Sequence, residues 1–416
     1  MFSTLKEPGL LKIYSVPLFV MITDQMANAI AIIFALELNA DILQINLITT
    51  VGMVMGIMLE VPFGMLSDRL GRKPMLIWSR TIVIFGTLIR VFATSPDHLI
   101  AASLLGGLAG GEFFPILLSM IGDVTEVNKR QEAISTMFLF SSFGMLIGPL
   151  ICSSLLLMPT MTLRTIYQIV VVGQIALVVY IAATVRETKV KAVKEIHVSY
   201  RVYVMDLLQE RNFQMLLVMA FFFSLSRSTT QTYIPVFAKK SLLLSDAEVA
   251  SFSIFSNLAV MIMRFLSASL MTRIQSGKTL LTMQIMGGTA GLLCIFANSY
   301  VSIIIILFIS GISYGGNRIL ESVLVANNSR PQNRGVANSL QNVSVSIGAM
   351  TKIFTTPIVN LLGYAPTFLV GGIVGFVAMI PPLAHRRLIV SLRSPITATE
   401  EKEQLGEESE RRRAKL

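Results

Sequence analysis

Long apolar runs separated by short polar breaks make up most of this chain. The runs are continuous rather than alternating, and each approaches the roughly 20 residues that an α-helix needs to cross the hydrocarbon core of a bilayer. Read in order they predict twelve helices, at 13–35, 43–66, 74–93, 98–122, 132–157, 163–185, 213–236, 248–272, 279–297, 300–326, 334–360 and 365–385. A transmembrane barrel is excluded, because its strands would alternate and span only about 9 to 11 residues. The first run contains Asp24 and lacks a small-residue cleavage site, so it is expected to be a retained helix rather than a signal peptide. The fold class expected is an all-α membrane protein with twelve transmembrane helices.

Composition agrees with the pattern. Of 416 residues 53% are hydrophobic and 14% charged, too apolar a balance for a water-soluble chain of this length. A formal net charge of +10 would fit nucleic acid, but its placement argues for lipid. Most of the 34 lysines and arginines fall on one side of the predicted spans, and the opposite loops hold only Arg164, Lys239 and Lys240. This bias puts both termini in the cytoplasm of a multi-pass cell-membrane protein, with the bilayer as partner and no nucleic acid.

The chemistry of enzymes is poorly represented. Cys152 and Cys294 lie inside apolar runs, which indicates packing rather than a disulfide framework. His98, His197 and His385 sit at or beyond helix ends, so no imidazole is placed for a metal or a proton relay, and no cofactor is expected. No phosphate-cradling P-loop is present, and the polar helices lack a nucleophile with its base.

The chain repeats itself in one constant register. Leu66 and Arg69 fall on Leu270 and Arg273; Gly107 and Gly111 fall on Gly311 and Gly315. Arg130, Ala133, Ser135 and Gly144 fall in turn on Arg334, Ala337, Ser339 and Gly348. Six helices return a chain to its starting side, so the copies share an orientation. The expected organisation is a bundle over 1–185, a linker over 186–212, a second bundle over 213–388 and a disordered charged tail over 389–416. The linker reads as solvated, with a surface-lying segment through Ile196, Val198, Tyr200, Val202 and Val204 as the alternative.

Between the second and third runs stands Gly64-Met65-Leu66-Ser67-Asp68-Arg69-Leu70-Gly71-Arg72-Lys73-Pro74. Gly64 permits close helix approach, Gly71 a tight turn, and Arg69, Arg72 and Lys73 hold the loop at one face. This segment resembles the loop signature of the major facilitator superfamily at every defining position. The resemblance implies two pseudo-symmetric six-helix bundles, and implies that Asp68 bonds to the other half to stabilise the outward-facing state. The second copy, Ser269 to Lys278, keeps Arg273, Gly277 and Lys278 but has Thr272 at the aspartate position.

In helix 5, Gly144, Gly148 and Pro149 are similar to the antiporter signature of the same superfamily, whose last glycine is Cys152 here. Small residues four apart allow close packing and proline bends the helix. The motif resembles that of the tetracycline-efflux-like branch of drug and proton antiporters. That branch carries an arginine early in helix 4, and Leu99 to Gly107 contains none.

Ionisable residues at mid-bilayer are costly and mark function. Asp24 lies in helix 1, Glu112 in helix 4, Arg227 in helix 7 and Arg318 in helix 10, with Glu321 nearer its end. In the family that the chain resembles, those four helices line the central cavity. Asp24 with Asn28, Ser224 with Ser228 and Thr232, Arg227 with Gln231, and Tyr314 with Arg318 share helical faces and predict a wet stripe. An anion held by Arg227 and Arg318, with Asp24 or Glu112 carrying a proton, is one reading; a lock between these acids and arginines is the other. Glu60 and Arg264 read as gating or pairing residues, Arg80 and Arg90 as snorkelling arginines, and Lys352 stays ambiguous. The 23 methionines fit flexible packing as well as an adaptable pocket.

The function expected is secondary active transport of a small molecule by alternating access, driven by protons or another coupling ion. Export of drug-like or amphipathic compounds leads on the helix 5 motif. Uptake or exchange of a metabolite or organic anion is the alternative, and a nontransporting receptor is the alternative of another class. The chain is expected to act as a monomer.

Overall fold

The computed structural model describes residues 8–110, 113–126, 129–188, 200–273, 276–329 and 334–384. Helix 1 spans Pro8–Glu37, helix 2 Ile42–Leu70, helix 3 Arg72–Val91, helix 5 Arg130–Leu156 and helix 6 Leu163–Thr184. Helix 4 is described in two stretches, Pro96–Gly110 and Phe113–Val124. In the second half, helix 7 spans Arg211–Lys240, helix 8 Asp246–Arg273, helix 9 Ser276–Leu293 and helix 10 Tyr300–Asn327. Helix 11 runs through Arg334–Met350, a 3-10 turn at Thr351–Thr355 and Thr356–Leu362; helix 12 is Tyr364–Val377 with Ile380–Ala384. Eleven of these spans are long and apolar enough to cross a membrane. Helix 7 falls short because Ser224 to Thr232 is a nearly unbroken polar stretch, although its length and place in the order match the others.

Local chemistry explains the breaks. Asp41 caps helix 2 by accepting from the Gln44 backbone N–H at 2.7 Å, while the Gln44 side chain accepts from the Asp41 N–H at 3.1 Å. Ser299 and Ser302 form the same reciprocal cap on helix 10. Gly71, at φ 109°, turns helix 2 directly into helix 3, a conformation that a side chain would strain.

The repeated register recurs as repeated contacts. Gly107 of helix 4 lies against Gly52 of helix 2, and Gly311 of helix 10 against Ser256 of helix 8. Gly144 of helix 5 abuts the Leu18 backbone of helix 1, and Gly348 of helix 11 abuts Phe221 of helix 7. Arg130 donates to the Gly122 carbonyl at 2.8 Å, and Arg334 to the Ala326 carbonyl at 3.4 Å. Each arginine thereby ties the start of one helix to the end of the helix before it.

Helix 5 packs on helix 8 and helix 2 on helix 11 to join the halves. At the end remote from the arginine-rich turns, called here the remote end, one core contains residues from both halves. It includes Ile33, Phe34, Ile42 and Tyr167 with Tyr233, Phe252, Ile303 and Phe368. At the opposite, basic end the core divides. Tyr14, Met75, Phe113 and Leu177 form one cluster, whereas Phe213, Leu216, Met283 and Leu324 form another.

The linker corrects the expectation of a solvated segment. Tyr200–Gln209 is a helix packed on helices 7 and 11, and Leu207, only 2% exposed, joins the core of the second half. Burial of such side chains, at about 25 cal/mol per Å² of apolar surface, outweighs the polar residues around them. The expected tail at 389–416 and the alternating positions Ile196 and Val198 lie outside the described residues.

Candidate functional site

Asp24 is held within the first half. Arg80 of helix 3 donates from Nη1 to Asp24 Oδ2 of helix 1 at 3.1 Å. The guanidinium also lies 4.6 Å over the Phe113 ring. With its side chain only 5% exposed, Arg80 does not snorkel to a surface as expected. A partner and an aromatic face offset the desolvation of its charge. Asp24 therefore pairs neither with Arg227 nor with Arg318. Its side chain remains 26% exposed, and Asn28, one turn further on, is exposed. Glu112 lies outside the described residues.

In the second half Arg227 lies over the Tyr314 ring, its guanidinium carbon 3.8 Å from the ring centroid. Its Nη1 donates to the Ser310 carbonyl at 3.4 Å and to Ser310 Oγ at 3.3 Å. Among the described residues no carboxylate lies within ion-pair distance of Arg227. Tyr314 is also within electrostatic reach of Arg264 and Arg318. Arg318 donates to Glu321 at 3.1 Å and to Asn342 at 3.3 Å.

Glu321 is not a wall of an open cavity. It is 1% exposed and accepts from Asn317 at 2.5 Å and Gln341 at 2.7 Å as well as from Arg318. Such saturation makes it an anchor that orients Arg318 and joins helices 10 and 11.

The polar stripe of helix 7 splits between neighbours. Ser224 donates to the Val345 carbonyl at 2.6 Å and Ser228 to that of Ala349 at 3.3 Å, so these hydroxyls fasten helix 11. Gln231 reaches Ser256 of helix 8 at 3.5 Å. Arg227 turns toward helix 10.

The signature loop meets Glu187 at the start of the linker and Ser67, Asp123 and Ala182 of the first half. The Arg72 and Lys73 backbone N–H groups donate to the Glu187 carboxylate at 3.0 and 3.1 Å. An anion thus sits at the N-terminus of helix 3, where unpaired N–H groups and the helix dipole favour it. The Arg72 side chain reaches Asp123 at 3.5 Å and Ser67 at 3.2 Å, and Lys73 Nζ the Ala182 carbonyl at 2.7 Å. Arg69 is exposed, while the Gly64 and Asp68 side positions lie outside the described residues. Gly144 and Gly148 leave no room for a Cβ against helix 1, and Pro149 is buried beside them.

Residues that the sequence did not single out join the halves, together with Arg264, which it read as a gating or pairing residue. Asn46 of helix 2 donates to the Tyr233 hydroxyl at 2.8 Å and to Thr356 Oγ1 at 2.9 Å, and Tyr233 bonds Thr355 at 2.8 Å. Asn257 donates to the Met145 carbonyl and Arg264 to Ser142, both at 2.8 Å. A lone asparagine or tyrosine inside an apolar run was the available signal; its partner was not.

Comparison with known proteins extends these observations. The model of the family described as Major Facilitator Superfamily matches residues 14–351 and, in a second placement, 216–415. The inner membrane transport protein YajR of Escherichia coli is 30% identical over 102 residues, which are 23% of this chain and 22% of that protein. Among solved structures, a bacterial homolog of the human lysosomal transporter Spinster, in an inward-facing and occupied conformation, has a TM-score of 0.73 at 15% identity. That likeness covers 93% of this chain and 98% of the other. The human organic anion transporter MFSD10 has a TM-score of 0.64 at 13% identity, over 93% of this chain and 99% of its own. The stretches matched in the first curated relatives span only 13% to 22% of their length. Twelve helices in two matched halves, a signature loop and a family match across most of the length agree: this chain belongs to the major facilitator superfamily and is a multi-pass membrane protein.

Proposed function

We propose that this transporter works by alternating access on a small organic anion, or an amphipathic compound carrying an anionic group. Arg227 carries the reading. It lies midway along helix 7, over the Tyr314 ring with Arg264 and Arg318 nearby, and no carboxylate neutralises it among the described residues. A charge at mid-bilayer costs about 2.5 to 3.5 kcal/mol on insertion scales, and an anionic ligand would offset that cost. The name of MFSD10, similar in fold, is consistent with such a substrate.

The joint core at the remote end and the divided cores at the basic end support a state closed at one end and open at the other. With the lysine and arginine bias placing the basic end and both termini in the cytoplasm, that state is inward-facing. A single chain supplies both walls of the cleft, which suits a monomer.

Asp24 with Arg80 is the proposed coupling pair. Protonating Asp24 removes the charge that Arg80 is paired with, so proton binding and the placement of helix 3 become linked. Proton-coupled export of drug-like compounds is the second reading, favoured by the seating of Gly144 and Gly148 on the helix that carries Asp24.

Sealed vesicles containing only this protein test the proposal. Counterflow of labelled organic anions, lost in Arg227→Ala, is the expected result. Flux of cationic drugs but not anions would move the assignment to the second reading. Anion binding without flux would identify a receptor.

A further inference from the structure

Lys352 is a buried lysine that the transport site described above leaves unused. It sits in the 3-10 turn of helix 11 with 3% of its surface exposed. Its Nζ donates to Thr232 Oγ1 of helix 7 at 2.8 Å. An ammonium carries three N–H donors and accepts nothing, so one hydroxyl leaves a charged lysine under-solvated there. Burying an unpaired charge costs far more than burying the neutral amine.

The surroundings offer hydroxyls and an amide. The turn packs on helices 2 and 7 and on the two flanking stretches of helix 11. Helix 2 presents Asn46 and Thr50, helix 7 Thr232 and Tyr233, and helix 11 Thr355 and Thr356, all buried. The charged groups on these elements are Asp41, Glu60, Asp68 and Arg69 of helix 2 with its cap, Arg211, Arg227, Lys239 and Lys240 of helix 7, and Arg334 of helix 11. Among the described residues none makes an ion pair with Lys352.

Position gives this chemistry a consequence. Thr232 is followed by Tyr233, and Lys352 is three residues before Thr355; both neighbours belong to the hydrogen-bonded seam with Asn46 that closes the two halves on each other. Parting the halves at that seam would admit water to Lys352, whereas closing it strips water away.

We propose that Lys352 is a proton-binding site that sets the state of the remote end. The closed end holds the neutral amine; the open end holds the ammonium. On closing, the ammonium releases its proton to water, and on opening the amine takes one back, so atoms and charge balance without a further reactant. Alkaline solution then favours the closed remote end and acid favours the open one. Each transport cycle passes this proton step in addition to any at Asp24. The inference uses the alternating-access reading, since it needs a remote end that opens.

Distances between spin labels decide it. Labels at Leu157→Cys and Phe296→Cys, exposed positions at the remote ends of helices 5 and 9, are placed in full-length protein with Cys152→Ala and Cys294→Ala. The expected result is a longer-distance population that grows as pH falls, lost in Lys352→Met, which stays short, and in Lys352→Arg, which stays long at every pH. Equal pH responses in all three proteins would overturn the role of Lys352 alone. One unchanging distance in all three would overturn both this role and alternating access. Monodisperse elution of Lys352→Met with unchanged helix content keeps its result interpretable.

Discussion

Arg80 and Asp24, on helices 3 and 1, form an ion pair at 3.1 Å that lies wholly within the first half of the transporter. Asp24 is therefore not spent on the arginines of the other half, and among the described residues no carboxylate pairs with Arg227.

Removing one member of this pair strands the other. Asp24→Asn should lower stability by about 1 to 3 kcal/mol, below the usual cost of breaking a fully buried pair because Asp24 retains some exposure. Thermal unfolding in detergent measures this. The double variant Asp24→Asn with Arg80→Gln should recover part of the loss, and purely additive losses would argue against a direct pair. In vesicles Asp24→Asn should also flatten the pH dependence of flux; an unchanged pH profile would reject its coupling role.

Arg227→Ala should weaken binding of an anionic substrate by roughly 10- to 100-fold, the worth of a charge-assisted hydrogen bond of about 1.5 to 3 kcal/mol. Arg227→Lys should lose less, because it keeps the charge while giving up the guanidinium contact with Tyr314. Titration calorimetry on purified protein reads both. Equal affinities in all three proteins would place the ligand elsewhere.

The seam at the remote end should be separable from folding. Asn46→Leu removes two hydrogen bonds that join the halves and Tyr233→Phe one of them, at about 0.5 to 1.5 kcal/mol apiece. The expected outcome is a shift toward the state open at the remote end, seen as faster labelling of a cysteine introduced beside the seam. Labelling at the parental rate would show that the apolar core alone holds this end shut.

Gly144→Leu should prevent helix 5 from seating on helix 1, since a Cβ there already meets the Leu18 backbone. Overpacking of this kind costs about 1 to 3 kcal/mol, and more when the obstacle is backbone. Gly348→Leu should behave alike against Phe221 if the two halves are equivalent. Thermal stability and monodispersity of the two variants make the comparison.

Gly71 and Glu187 show how the signature loop is built. Gly71→Ala places a side chain at φ 109°, and Glu187→Gln weakens the anion at the start of helix 3. Each should cost roughly 1 kcal/mol. Melting temperatures should fall modestly with insertion intact; no change in either would mean that basic side chains alone hold the loop.

Hydropathy by itself determined the number of spans and their order, because the cost of placing polar groups in lipid accumulates along the chain without reference to partners. The constant register of matched residues such as Arg130 with Arg334 and Gly144 with Gly348 marked the duplication. The helix 7 exception proves informative: its Ser224 to Thr232 stretch blurs the hydropathy signal where its residues fasten helix 11. The same local reading placed Asp24, Arg227 and Arg318 within the membrane, and it marked Gly144 and Gly148 as contact positions.

Only tertiary structure decided what each polar group meets. Asp24 could face Arg80, Arg227 or Arg318 until the rotation of helix 1 against helix 3 was set. Arg80 read as a snorkelling side chain because nothing local announces Phe113 at 4.6 Å. Tyr200–Gln209 read as solvated because its polar residues are visible and the pocket that takes Leu207 is not. Helices in a bilayer are apolar on nearly every face, so the pattern along each one gives little indication of its phase; packing across the bundle supplies that angle.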